Sequence, residues 1–107
     1  DLGILFQLGF LKYTNKDWEG AVEAFEKAIS INSQYSNAKY FLGLSYYNIG
    51  KTVAALKEFK EIGSLNPDNQ EVKSIIKNLT DGKDPFAAVA PTKAAPEKAD
   101  KLPIKEP

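Results

Sequence analysis

The stretch Ser36-Asn37-Ala38-Lys39-Tyr40-Phe41-Leu42-Gly43-Leu44-Ser45-Tyr46-Tyr47-Asn48-Ile49-Gly50, continued by Lys51 to Leu65 and closed by Asn66-Pro67, decides the fold. Two helical patterns meet at Gly50. The first carries Leu42, Gly43 and Tyr46; the second carries Ala55, Phe59 and Ile62. Moved back by 34 positions the pattern recurs: Gly43 falls on Gly9, Leu42 on Leu8, Ala55 on Ala21, Phe59 on Phe25, Ile62 on Ala28 and Asn66 on Asn32. A fixed period of this length, with helix–turn–helix content, marks a repeat protein in which each unit buries its apolar face by stacking on a neighbour.

The spacing resembles the tetratricopeptide repeat, whose pattern is a large residue, Leu-Gly, Tyr, then Gly, Ala, Phe, Ala and Pro at set positions. The second repeat supplies Leu42, Gly43, Tyr46, Gly50, Ala55, Phe59 and Pro67. The first supplies Leu8, Gly9, Ala21, Phe25 and Ala28, with Trp18 where the family often has Tyr. It departs from the pattern at Lys12, Lys16 and Ser33. The resemblance implies an all-α solenoid of five antiparallel helices, a fragment of a right-handed superhelix. Its parts are a domain over 1–80, with repeats at about 2–35 and 36–69 and a capping helix at about 69–80, and an irregular tail over 81–107.

Composition narrows the chemistry. The 107 residues suit one small domain. Lysines and acidic residues balance at 14 each, and no segment has the basic excess of a nucleic-acid binder. There is no Arg, the side chain best suited to bidentate phosphate contacts. With no Cys there are no disulfides or thiolate metal sites, and with no His the commonest general base and metal ligand is missing. No cofactor is expected. No apolar run approaches the roughly 20 residues that span a bilayer, so this chain is not expected to insert in a membrane. The chain opens at Asp1 and contains no Met, which reads as a fragment of a longer protein.

Helical spacing predicts a first helix over Leu2–Thr14, with Gly9 leaving room for its partner despite the helix cost of a glycine. A second begins after Asp17, a side chain able to cap the free N–H groups, and runs to Ile31 with Ala21, Phe25 and Ala28 as its packing face. Ser36 is the expected N-cap of the third, and Gly50 its C-terminal cap. The fourth covers Thr52–Ser64. Asp68 with Glu71 resembles a capping box before a fifth helix over Asn69–Thr80, with Val72, Ile75, Ile76 and Leu79 on one side and Glu71, Lys73, Lys77 and Asn78 on the other. The face of the first helix formed by Leu2, Ile4 and Leu11 has nothing to pack on, as if further repeats preceded it. From Asp81 the chain holds five of its six prolines, with Phe86, Val89, Leu102 and Ile104 as the only large apolar residues. It reads as an extended linker or disordered tail.

In the repeat family the first helices line a concave groove. Its positions fall here on Gly3, Phe6, Phe10 and Tyr13, then Asn37, Tyr40, Leu44 and Tyr47, continued by Ser74 and Asn78. Phe6, Phe10 and Tyr13 share the spacing of Tyr40, Leu44 and Tyr47, so each set forms one stripe. An aromatic trough would take an apolar helix or extended peptide of a protein partner. The same rings would equally serve as packing within the domain, against a preceding repeat, or against the tail. The carboxylate clamp of chaperone-binding repeats would need Lys, Asn, Asn, Lys and Arg at the places of Phe6, Phe10, Phe41, Glu71 and Ile75, and none fits.

Three lesser motifs are read as incidental. Gly50-Lys51-Thr52 lacks the first glycine and the strand of a phosphate loop. Asn78-Leu79-Thr80 is a glycosylation sequon inside a predicted helix. Glu19, Glu23 and Glu26 lie on an exposed helix face among lysines, and Trp18 reads as a packing anchor. Sequence therefore points to a non-catalytic interaction scaffold. Two alternatives stay open. One is a repeat appendage of a bacterial envelope protein, because Asp81-Gly82-Lys83-Asp84-Pro85 after a capping helix is similar to the ends of repeat arrays on glycan ligases and polymerases of the O-antigen type. The other is self-association into a homo-oligomer. Localisation is left open by the sequence.

Overall fold

The computed structural model describes residues 1–87 and 102–106. Five helices follow in order: α1 Leu2–Thr14, α2 Trp18–Ile31, α3 Ser36–Asn48, α4 Thr52–Leu65 and α5 Gln70–Thr80. Among the described residues there is no strand. Short turns join α1 to α2 and α3 to α4, so each pair packs as an antiparallel hairpin. The hairpins stack through α2 on α3, and α5 closes the far side by packing on α4.

Local chemistry explains the boundaries. Asp17 caps α2 by accepting a hydrogen bond from Gly20 N at 3.0 Å. Gly50 ends the second repeat's first helix at φ +83°, where a side chain would be strained. Lys16 sits at the same place in the first repeat, at φ 62°, and keeps the left-handed turn without a glycine.

Two expected caps are corrected. Ser36 is already the first helical residue of α3, and the N-cap is Tyr35, whose side chain makes no capping bond. At α5 the cap is Asn69, accepting from Val72 N at 3.0 Å, rather than Asp68. Glu71 instead accepts a 2.7 Å bond from the Tyr40 hydroxyl, which ties α5 to α3.

The core explains both mid-helix glycines. A Cβ on Gly9 would lie 2.7 Å from the Phe25 ring, and one on Gly43 would lie 2.6 Å from the Phe59 ring. Each glycine therefore admits the large ring of its own hairpin partner. Phe41 is the hub between repeats, with its ring 5.2 Å from Phe10, 5.0 Å from Tyr13, 6.0 Å from Phe25 and 5.2 Å from Tyr40. Burying one such ring contributes roughly 1.5–3 kcal/mol. Trp18 packs edge-on against Tyr13 at 5.6 Å, an anchor where α1 turns into α2. Leu42, which has a repeat before it, is buried, whereas Leu8 is 43% exposed. Ile4 and Leu11 are exposed with it, but Leu2 is half-buried against the core.

Candidate functional site

The three stripes have different surroundings. On α1, Phe6, Phe10 and Tyr13 are buried, and Gly3 is exposed. Phe6 stacks on Tyr35 at 5.3 Å and meets Phe25 and Phe41. On α3, Asn37, Tyr40 and Leu44 are buried and Tyr47 is half-buried. On α5, Ser74 is exposed and Asn78 is buried. Of the two readings left open for these rings, an open trough and packing within the domain, most of them follow the second: they pack on Phe41, Tyr35 and one another. Periodicity identified the face, but not what covers it.

Part of the cover is the chain's own C-terminal region. Near the end of α5, the Asn78 side-chain amide donates to Pro85 O at 2.9 Å and to Ala87 O at 3.0 Å. Pro85 and Phe86 line a cavity of about 540 Å³ together with Tyr13, Trp18, Leu44 and Tyr47. At the opposite end of α3, the Asn37 side chain pairs with the backbone of Ile104. Its Nδ2 donates to Ile104 O at 2.7 Å, and its Oδ1 accepts from Ile104 N at 3.0 Å. A primary amide matches a peptide group donor for acceptor, so this pairing fixes the backbone at Ile104, where the chain bends. Ile104 itself is buried in the core cluster.

Glu106 completes the contact. Its Oε1 accepts from Ser36 N and its Oε2 from Asn37 N, both at 2.8 Å, and Oε2 also takes a bond from Asn37 Nδ2. The carboxylate thereby supplies the cap that α3 lacks, at the end where the helix dipole favours an anion. Burial and the nearby Glu106 charge together raise the Tyr35 hydroxyl above its ordinary pKa. The linker reading of 81–107 therefore needs revision at 85–87 and 104–106, while residues 88–101, Val89 among them, lie outside the described residues. Asn78 of the glycosylation motif is buried and fully engaged as a donor.

A second polar group lies between α3 and α4. Lys39 is buried, bonds Glu61 and lies 3.9 Å from Glu58. Burial, then the Glu61 charge, pushes Glu58 above the usual carboxylate range, while the Lys39 hydrogen bond holds Glu61 below it. Of the three α2 carboxylates, Glu23 pairs with Lys27 and Glu26 accepts a 2.7 Å bond from the Tyr46 hydroxyl. Burial and that bond raise Tyr46, as burial and Glu71 raise Tyr40. Among the described residues no group of three or more His, Cys, Asp or Glu is placed to hold a metal ion, and no helix is long and apolar enough to cross a membrane.

A model of the tetratricopeptide repeat matches residues 13–79, from the end of α1 through α5. The chain belongs to the tetratricopeptide repeat family. The fold of that family is a non-catalytic one that mediates protein–protein interaction. Two fungal proteins are similar over 55 residues, or 51% of this tetratricopeptide chain: anaphase-promoting complex subunit 3 of Schizosaccharomyces pombe at 34% identity and protein bimA of Emericella nidulans at 33%. The match covers 8% and 7% of those proteins, so the chain spans less than a tenth of either relative. Neither lends support to the bacterial envelope alternative. No solved structure gives a significant match.

Phe41, Ile104 and Glu106 were not singled out as groove residues by sequence. Helical spacing does put Phe41 beside Tyr40, but the signal for Ile104 and Glu106 is faint: one apolar residue and one acid in a Pro- and Lys-rich segment.

Proposed function

We propose that this chain is an interaction module that holds a segment of a partner protein along the faces of α3 and α5. The observation that carries this reading is the backbone pairing of Asn37 with Ile104, echoed by Asn78 with Pro85 and Ala87. Two asparagines that read main-chain groups suit a peptide ligand, since their bonds do not depend on its side chains; the groups they hold here lie in a turn at 85–87 and a bend at 103–104. Half-buried Tyr47 and the neighbouring cavity give an apolar side chain somewhere to go.

The test is a random-peptide selection on the full chain with its tail contact weakened by Ile104→Ala, followed by amide chemical-shift mapping of the selected peptides. Shifts at Asn37, Tyr47, Asn48, Ser74 and Asn78 are expected. Peptides that move only α2 and α4 signals would contradict the proposal.

A second reading, self-association through α1, is favoured by the exposure of Ile4, Leu8 and Leu11, which border one shallow apolar depression. Sedimentation velocity decides it: a monomer at high concentration removes it.

A further inference from the structure

We infer that the N-terminal end of α3 is a recognition site for a segment carrying an apolar residue two places before an acidic one, and that Ile104-Lys105-Glu106 fills it as a built-in competitor. This rests on the groove reading above and adds to it a ligand class and a means of control. Three features define the class. Ile104 is buried among core residues, so its position demands an apolar side chain. Lys105 is exposed, so the middle position is free to vary. Glu106 bonds two successive backbone N–H groups and the Asn37 amide, a set of donors that only an acceptor with two oxygens can satisfy together.

The helix end is more than an unoccupied dipole. Tyr35 provides no capping bond, so the first N–H groups depend on the incoming carboxylate. Ser36 Oγ, in the same turn and fully buried, has no hydrogen-bond partner. A buried hydroxyl left unpaired is costly, and a native tail tuned only for stability would be expected to satisfy it. It is a hydrogen-bonding position beside the seat that the resident segment does not use. Leu102 is 41% exposed and contributes less to the seat than Ile104 does. Because the competitor is tethered, it acts at an effective concentration on the order of millimolar, and a partner segment must displace it.

The experiment uses a fluorescent synthetic peptide of residues 101–107 added to two full-length chains, native and Ile104→Asp, with anisotropy as readout. The released chain is expected to bind the peptide at least about tenfold more tightly than the native chain. A peptide with Glu106→Gln should bind the released chain about tenfold more weakly than its parent, and one with Lys105→Ala equally well. Far-UV circular dichroism checks that the helices persist; if Ile104→Asp unfolds the chain, full-length Glu106→Gln serves as the released form. Equal binding by both chains, or by the parent and Glu106→Gln peptides, overturns the inference. If the released chain ignores this peptide but holds selected peptides without the pattern on the same face, the inference fails and the groove reading stands. If it holds neither, both fail.

Discussion

The two repeats share a backbone but use it differently. Where the second repeat has Lys39 and Glu58, the first has Leu5 and Ala24, 34 positions earlier. Where the first has Phe6, Phe10 and Tyr13 packed on Phe41, the second has Tyr40, Leu44 and Tyr47, with Asn37 ahead of them bonded to Ile104. The signature residues are common to both, as the near-identical approaches of Gly9 to Phe25 and Gly43 to Phe59 show. Repeat positions set by helix crossing are thus retained, while the stripes on α1 and α3 diverge: the first packs into the core, and the second has Asn37 bonded to the chain's own C-terminal region.

The largest break in this comparison should come at the hub. Phe41→Ala empties the space between the repeats and is expected to cost about 3–5 kcal/mol in urea unfolding. A smaller loss would mean that the rings of α1 do not depend on α3. Next come Gly9→Ala and Gly43→Ala, each expected to cost about 1–3 kcal/mol through overpacking against a ring. Similar values would confirm that the two hairpins cross alike; a tolerated Gly9→Ala would show the first to be looser.

The turns sharpen the comparison in opposite directions. Gly50→Ala forces a side chain into the left-handed region and should destabilise by about 1–2 kcal/mol. Lys16→Gly relieves the same strain, less the greater freedom that glycine has when unfolded, so a gain below about 1 kcal/mol in thermal or urea unfolding is expected. A loss would show that Lys16 is held there by something other than backbone tolerance.

The smallest effect concerns the polar cluster peculiar to the second repeat. Glu61 has its folded pKa lowered from an ordinary 4.5 by the Lys39 hydrogen bond. It therefore contributes stability above 4.5 that disappears as pH falls through the lower folded value. Native and Glu61→Gln chains should differ at about pH 7 and converge below that window, with the difference reduced by solvent because Glu61 is partly exposed. A constant difference at all pH values would contradict the assignment. Glu58, raised by burial, carries the opposite sign: its contribution is greatest at low pH and is lost as pH rises through its folded value.

How much of this was legible in the sequence follows from the range of each interaction. α1 and α3 could be located because Gly9, Gly43, Phe25 and Phe59 repeat at one spacing and pack within a hairpin. Asp17 was legible as a cap because its acceptor and Gly20 N are three residues apart. The α3 cap was not, because the carboxylate that replaces Ser36 comes from Glu106, 70 residues away. Asn37, Tyr47 and Asn78 were placed on the inner face by register alone, but the partners of Asn37 and Asn78 lie in a segment whose composition argued against order. Proline disfavours helix, but it does not prevent a turn or a bend from pairing its backbone with side-chain amides. The burial of Phe6 and Phe10 stood as one of two open readings for a related reason, since a stripe at helical spacing looks the same whether water, a ligand or Phe41 lies against it.

A nuclear Overhauser spectrum of the full native chain, read at the Asn37 side-chain amide, bears on all of this at once. Cross-peaks are expected from those protons to the Ile104 amide and side chain, together with slow hydrogen exchange at Ser36 N and Asn37 N. Their absence, with rapid exchange at both sites, would contradict the claim that this face holds the chain's C-terminal segment.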